Sequence, residues 1–228
     1  MQQVEFPPDF LDNILERRGR LNVFDCIEPQ RTALLVVDMQ NAWLRPGAAW
    51  EQPAARGIVP NVNRLARTAR AVGSPVIWIQ ATHAAEGKDH WRIFFDNFTK
   101  PENRAAASLA LTEGHPEHAL YAGLDVDAGD LFVRKLRFSP FIQGSSEIEL
   151  LLRRRGIDTV VISGTRTNVC CESTARDAMM LDFRVFMVSD ATAAATEREH
   201  LAGLMTVYQV FGDVRTTEEI VALLEAGA

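Results

Sequence analysis

The sequence lacks several features that mark specialised classes of protein. Its 228 residues include only three cysteines, Cys26, Cys170 and Cys171, which cannot all pair within one chain. Free thiols favour a reducing cytoplasm over a secreted, disulfide-bonded protein. Residues 1–8 lack the basic and apolar pattern of a signal peptide. No apolar run approaches the roughly twenty residues needed to span a bilayer. We therefore expect a cytoplasmic protein that does not contact a membrane.

The chain also has no concentration of charge of one sign. The formal net charge is −6, and acidic and basic residues are interspersed. A basic stripe of the kind that contacts nucleic acid is missing, so no nucleic-acid partner is expected. A glycine-rich phosphate loop is missing too, since the first predicted strand is followed by Asp38-Met39-Gln40-Asn41-Ala42. This absence argues against a dinucleotide-binding oxidoreductase.

What the sequence does contain is a regular alternation of apolar runs and helical patterns. Strands are predicted at 33–37, 75–80, 130–135, 159–163, 184–189 and 213–216. Helices are predicted at about 8–18, 59–72, 147–155 and 170–181, and near the C-terminus. Strands that are apolar nearly throughout are typical of parallel sheets covered on both faces. We predict a single α/β domain over 1–228, with three α/β/α layers around a mostly parallel, Rossmann-like six-stranded sheet.

One segment, at about 82–123, has no strand pattern. It holds a cluster of aromatic residues, Trp91, Phe94, Phe95 and Phe98. A long insert in a compact domain is often functional, as a lid or an interface. Core or subunit interface is the more common role for such a cluster, and a place in a substrate pocket is the alternative.

Three chemically active residues fall at the carboxyl ends of predicted strands. Asp38 follows the first strand, Lys135 ends the third, and Cys170 follows the fourth across a short loop. Ligands of open parallel sheets bind at that edge, so the three side chains are expected to converge. A carboxylate after a buried strand must be paired or functional, because an isolated buried charge is costly. Capping of a neighbouring loop, for Asp38, and a plain surface position, for Lys135, are the alternatives.

Cys170 is expected near the first turn of a helix. The partial positive charge and unpaired N–H groups there stabilise a thiolate and can receive an oxyanion. We therefore expect an activated thiol that reacts fast with iodoacetamide near neutral pH. The alternative is a small buried hydrophobic residue, which is the more common role of a cysteine. Cys171 must point elsewhere, because neighbours on a helix lie about 100° apart, and we interpret it as a packing residue.

Three motifs occur in order around these residues. They are Val36-Val37-Asp38-Met39-Gln40-Asn41, then Val133-Arg134-Lys135 with the loop Phe138-Ser139-Pro140-Phe141, then the segment 164–178. That segment matches the pattern Gly-x-x-Thr-x-x-Cys-x-x-x-Thr-x-x-Asp-Ala. From about residue 32 onward, the chain resembles the isochorismatase-like cysteine hydrolases. Members of that family include nicotinamidases, N-carbamoylsarcosine amidohydrolase and ureidoacrylate amidohydrolases.

The resemblance implies a fold, a reaction and a set of residues. The implied catalytic triad is Asp38, Lys135 and Cys170, with a cis peptide bond between Thr165 and Arg166. The implied oxyanion hole uses the N–H groups of Arg166 and Cys170. The implied reaction is attack by the thiolate on a small amide, carbamoyl or ureido compound, followed by hydrolysis of the thioester. A homodimer or homotetramer is implied as well.

Two alternatives stay open beside this interpretation. True isochorismatases cleave a vinyl ether and do not need the cysteine. A non-catalytic binding protein on the same fold is the other alternative, although such a protein is expected to lose part of the triad, and none of it is lost here.

The sequence departs from one relative at a metal site. Nicotinamidases carry Asp-x-His after the second strand, and here the corresponding residues are Ala81-Thr82-His83, with His90 downstream. Because the carboxylate is missing, we predict no metal and no other cofactor, and we disfavour nicotinamidase activity.

The pocket residues are less well specified than the triad. The candidates for substrate binding are Asn41, Trp43, Phe138 and Asn168. Arg166 either binds a substrate carboxylate as a bidentate fork, or is an exposed arginine or one paired with a neighbouring acid. The sequence does not identify the substrate.

Overall fold

Six parallel strands in the order β3–β2–β1–β4–β5–β6 form the centre of the structure. The structure is a computed structural model, and it describes residue 2 and residues 4–84 and 90–228. The strands are β1 Thr32–Val37, β2 Val76–Ala81, β3 Leu131–Lys135, β4 Thr159–Thr165, β5 Arg184–Ala193 and β6 Asp213–Arg215. Every pairing between neighbouring strands is parallel, so the predicted sheet is confirmed.

Helices connect the strands and cover both faces of the sheet. The α-helices among the described residues are α1 Pro8–Arg18, α2 Asn41–Leu44, α3 Pro53–Gly57, α4 Val59–Ala71, α5 Arg92–Asn97, α6 Arg104–Ala110, α7 Ile148–Arg154, α8 Glu172–Met180, α9 Glu197–Thr206 and α10 Thr217–Ala226. Two 3-10 helices, Pro29–Arg31 and Pro101–Asn103, and two π-helical turns, Thr167–Cys171 and Val207–Phe211, complete the set. Among these described helices, none combines the length and the apolar character that crossing a membrane requires.

The side chains of β1 point alternately to the two faces of the sheet, and each face has its own hydrophobic core. Leu34 and Val36 pack on one face of the sheet, in a cluster with residues of α3, α4 and α10. Ala33, Leu35 and Val37 pack on the other face, with residues of α1, α7, α8 and α9. Successive side chains of a strand point to opposite faces, which explains why the whole strand is buried and apolar. The three-layer α/β/α architecture predicted from the sequence is confirmed.

Among the described glycines with positive φ, a conformation that other residues rarely adopt, two are placed where the fold requires them. Gly156, with φ +69°, follows the last turn of α7, as expected for a C-cap glycine. Gly164 in β4 has φ +110°, and a Cβ there would lie 2.1 Å from the carbonyl oxygen of Val37. Glycine therefore permits the close approach of β4 to β1 directly beside Asp38.

Strand β5 is longer than the sequence pattern predicts. It continues from 189 to Ala193, with a register shift against β4 between Ile162 and Gly164. Asp190 lies within this extension, and its carboxylate accepts hydrogen bonds from the backbone N–H and hydroxyl of Thr217, both at 2.7 Å.

The described parts of the predicted insert at 82–123 contain two short α-helices and one 3-10 helix. In its described parts, 82–84 and 90–123, there is no β-strand, while residues 85–89 lie outside the described residues. The aromatic cluster lies on α5 and at its two ends, and its residue Phe95 is fully buried in the core. Phe98 is 75% exposed and stacks on Phe94. The cluster is thus divided between core, surface and the cavity described below.

Candidate active site

Asp38, Lys135 and Cys170 meet at the carboxyl edge of the sheet. Lys135 Nζ lies 2.9 Å from Asp38 Oδ2 and donates to Cys170 Sγ at 3.4 Å. The three residues are buried, with Cys170 the most accessible at 7%. The structure therefore brings together the three side chains that the sequence placed at separate strand ends.

Strand β2 lies between β1 and β3, so Lys135 must reach across it to contact Asp38. Neighbouring strands lie about 4.8 Å apart, which a lysine side chain can bridge when the intervening residue is small. That residue is Ala81, the last residue of β2. Its backbone N–H donates to Asp38 Oδ1 at 3.0 Å and to Gln40 Oε1 at 2.8 Å, which orients the carboxylate.

Cys170 is presented by the π-helical turn that links β4 to α8. The carbonyl of Arg166 accepts the N–H groups of Val169 and Cys171, each at 3.1 Å. The Thr174 hydroxyl donates to the carbonyl of Cys170 at 2.6 Å. These bonds fix the turn at both ends. The peptide bond between Thr165 and Arg166 is cis, as the resemblance implied.

His200 supports the same turn from helix α9. Its Nε2 lies 3.0 Å from the carbonyl oxygen of Ser189, and its Nδ1 lies 2.7 Å from the Thr167 hydroxyl. Since a carbonyl only accepts, Nε2 donates, and Nδ1 accepts from Thr167. Both residues are fully buried. Sequence reasoning missed His200, and the threonine of the third motif was the one signal that pointed to a partner.

The expectation of a resting thiolate is wrong in this structure. Burial raises the pKa of the Cys170 thiol to about 12, and the negative charge of Asp38 adds to the effect while Lys135 opposes it. Burial by itself would lower the pKa of Lys135, but the charge of Asp38, together with the hydrogen bonds to Asp38 and Cys170, leaves it raised. The resting site is therefore a neutral thiol beside an Asp–Lys ion pair. A helix terminus favours a thiolate, but desolvation of the buried sulfur outweighs that effect here.

A cavity of about 270 Å³ opens above the three residues. Its walls are aromatic, formed by Trp43, Trp50, Trp91, Phe94 and Phe138. The rings form a continuous surface, with Trp91 and Phe94 stacked at 5.1 Å between centroids. The cavity also contains the side chains of His83, Arg137 and Arg166.

Two of the four predicted substrate-binding residues line this cavity and two do not. Trp43 and Phe138 are part of the wall. Asn41 instead donates through Nδ2 to the carbonyl of Pro116 at 2.9 Å. Asn168 packs closely against Gly203 of α9 and is not part of the wall. The spacing of residues in a motif does not determine the direction of a side chain. Asparagines near a catalytic motif are therefore easily mistaken for residues that contact the ligand.

Arg166 shows the pairing with a neighbouring acid that the sequence left open as an alternative. It lines the cavity, and its Nη2 pairs with Glu199 Oε1 at 3.3 Å. The other carboxylate oxygen of Glu199 accepts from the backbone N–H of Thr196, as part of the capping box of α9. The guanidinium is therefore held by a carboxylate that the helix terminus fixes.

The two histidines considered for a metal do not form a pair. Both rings contact Phe95, with His90 stacked on it and His83 at its edge, each at 5.4 Å between centroids. Burial, aided by the charges of Lys135 and Arg137, lowers the pKa of His83 to about 3. Among the described residues, no three His, Cys, Asp or Glu side chains cluster as metal ligands.

Comparison with known proteins places this geometry among related hydrolases. The isochorismatase domain matches residues 32–219. Ureidoacrylate amidohydrolase RutB of Methylobacterium radiotolerans is 33% identical over 199 residues, which cover 82% of this chain and 76% of that protein. The structure of a cysteine hydrolase from Pseudomonas syringae pv. phaseolicola 1448A has a TM-score of 0.82 and 30% identity, over 91% of this chain and 98% of that one. N-carbamoylsarcosine amidase from Thermoplasma acidophilum has a TM-score of 0.66 and 26% identity, over 82% and 97%.

Proposed function

Because the chain belongs to the isochorismatase family of hydrolases, we propose that it cleaves the C–N bond of a small amide, carbamoyl or ureido compound, with Cys170 as nucleophile. The family membership predicted from three motifs is confirmed. The proposal rests above all on one observation, the contact of Lys135 Nζ with both Asp38 and Cys170 at the floor of the cavity.

The first half of the reaction forms a thioester. The neutral thiol needs a base, and Asp38 is the acceptor at the site because its carboxylate lies beside the same ammonium as the sulfur. As Asp38 takes the proton, Sγ attacks the carbonyl carbon of the substrate. The N–H groups of Arg166 and Cys170 receive the developing oxyanion. Asp38 then returns the proton to the departing nitrogen, and the C–N bond breaks.

The second half restores the enzyme. Asp38, ionised again, takes a proton from water, and the hydroxide attacks the thioester carbonyl. The C–S bond breaks, the acid leaves, and the sulfur recovers its proton. Throughout, Lys135 supplies the counter-charge to Asp38 and holds the thiol in place, which a neutral residue could not do in so buried a site.

Removal of the sulfur tests this mechanism. We expect Cys170→Ala to lose essentially all ammonia release from a panel of small amides and ureido compounds. Adding hydroxylamine to the unaltered enzyme is expected to divert the acyl group to a hydroxamate, because a thioester is open to a second nucleophile.

The neighbouring thiol provides the matched control. Cys171 is fully buried and does not line the cavity, and its sulfur lies 4.0 Å from the carbonyl oxygen of Ser163. Cys171→Ala is expected to retain turnover. Near-normal turnover by Cys170→Ala, or its loss in Cys171→Ala alone, would contradict the assignment of the nucleophile.

A further inference from the structure

The chain turns away from the sheet directly after strand β1. Asp38 has φ +53°, a left-handed conformation that aspartate adopts more readily than most residues. The register between β1 and β2 ends at Val37 and Ile79, and the N–H of Asp38 still donates to the carbonyl of Ile79 at 2.9 Å. Ala81, two residues further along β2, therefore has no backbone group of β1 opposite it.

The side chain of Gln40 takes the place of that backbone. Its Oε1 accepts a hydrogen bond from the N–H of Ala81 at 2.8 Å, and its Nε2 lies 3.2 Å from the carbonyl oxygen of Ala81. A side-chain amide has the same donor and acceptor groups as a peptide unit, so one glutamine can pair with both backbone groups of a strand residue. Gln40 is fully buried, which keeps water from competing for these bonds.

Ala81 is the residue on which the catalytic carboxylate and the lysine both depend. Its N–H is shared between Gln40 Oε1 and Asp38 Oδ1, the latter at 3.0 Å. Lys135 lies opposite Ala81 in β3, and its side chain crosses this residue to reach Asp38 Oδ2 at 2.9 Å. A shift of Ala81 would therefore turn the carboxylate and move the surface that the lysine crosses.

We propose that Gln40 is a positioning residue for the reaction, because it holds both backbone groups of Ala81 and through them the carboxylate of Asp38. The proposal rests on the proposed function and adds a residue to its machinery. Gln40 is not among the residues that line the cavity, so it acts on the catalytic cluster and not on the substrate. Misplacement of a reacting group by about 1 Å can lower a rate about 100-fold.

Removal of the amide tests this role. Gln40→Met keeps the length of the side chain but can neither donate to nor accept from Ala81. We expect kcat for the best substrate of the amide and ureido panel to fall by about 10- to 100-fold, while KM stays within about twofold, because contacts to the bound substrate are kept. A rise in KM with kcat unchanged would overturn the proposal.

Gln80 offers a matched control on strand β2. Its Nε2 donates to the carbonyl of His118 at 3.0 Å, and Nε2 of Gln40 donates to the same carbonyl at 2.8 Å. Gln80→Met therefore removes a bond to this carbonyl but leaves both bonds between Gln40 and Ala81. We expect it to keep kcat within about twofold. Equal falls of kcat in the two methionine variants would assign the effect to the segment around His118, and the proposal would fail.

Hydrogen exchange at the N–H of Ala81, followed by NMR, gives a measurement that does not depend on turnover. We expect slow exchange in the unaltered protein, about tenfold faster exchange in Gln40→Met, the effect of one hydrogen bond, and no change in Gln80→Met. Exchange in the unaltered protein as fast as at an exposed amide would overturn the proposal, even if Gln40→Met does not fold.

The two measurements separate this proposal from the hydrolase function. If the unaltered protein hydrolyses no member of the panel but the exchange rates differ as expected, the hydrolase proposal fails and the hold of Gln40 on Ala81 stands. If the panel is hydrolysed and Gln40→Met matches the unaltered protein in both kcat and exchange, the hydrolase proposal stands and the role of Gln40 is refuted.

Discussion

Lys135 is a charged side chain that is almost completely removed from solvent, with 1% of its surface exposed. Its sequence position, at the end of a strand that alternates buried and exposed residues, is typical of a surface lysine. The structure buries it because its side chain crosses Ala81 and meets a carboxylate on the far side. Burial of one such charge is tolerable only when a partner of opposite charge is also buried.

A single substitution also tests the protonation state of Cys170. The charge of Asp38 raises the pKa of the thiol, so Asp38→Asn is expected to lower that pKa while it abolishes turnover. The thiolate then forms at lower pH, and the midpoint of iodoacetamide labelling shifts to lower pH. The measurement is best made with Cys26→Ser in both proteins, because Cys26 is an exposed thiol.

The test is specific because it combines two measurements, turnover and the pH midpoint of iodoacetamide labelling. A merely structural role for Asp38 predicts lost turnover with the labelling midpoint unmoved. A midpoint that moves to higher pH would mean that the carboxylate stabilises the thiolate, contrary to the electrostatics described here.

At the scale of elements, the π-helical turn Thr167–Cys171 decides where the sulfur points. The carbonyl of Arg166 accepts hydrogen bonds from two N–H groups of the turn. The Thr167 hydroxyl forms a further hydrogen bond with His200 of helix α9. π-helical turns are rare and frequently occur at functional sites. Strand β4, this turn and helix α9 therefore act together to position the nucleophile.

Loss of the supporting hydrogen bond is expected to reduce catalysis more than binding. Thr167→Val keeps the shape but leaves His200 Nδ1 without a donor, at a cost of about 1–3 kcal/mol in the free energy of unfolding. With the turn loosened, kcat is expected to fall about tenfold or more while KM changes little, because ground-state contacts are largely kept. Urea unfolding and steady-state kinetics measure the two effects.

A second buried threonine serves as the control for this prediction. Thr192 in β5 donates its hydroxyl to the carbonyl of Val188 at 2.9 Å. Thr192→Val is expected to lose stability without a fall in kcat. Similar kinetics for the two valine variants would show that the Thr167–His200 bond has no special role in positioning Cys170.

At the scale of the whole molecule, burial makes stability depend on pH. Burial is the largest cause of the lowered pKa values of His83, His118 and His200. An unfolded chain binds protons at histidine near pH 6.5, whereas folded His83 does so only near its pKa of about 3. The unfolded state therefore binds more protons between these two values, and stability falls as pH decreases through that window.

Unfolding by urea at two pH values measures this dependence. Between pH 7 and about pH 5.5, we expect the free energy of unfolding to fall by about 1 kcal/mol through His83 alone. In His83→Gln, the fall in the free energy of unfolding over this pH range is expected to be smaller by that amount. A free energy that stays constant or rises over this range would mean that the buried histidines are already protonated in the folded protein.

The sequence by itself determined the family, the parallel sheet and the three residues at its edge. Apolar strands and an ordered set of motifs are local patterns, and the ends of parallel strands necessarily meet. Only the tertiary structure decided that Cys170 is a neutral thiol, that Asn41 bonds to the carbonyl of Pro116 and that Arg137 lines the cavity with no ion pair to any described residue. These properties depend on desolvation and on distances between segments remote in the chain, which no local pattern encodes.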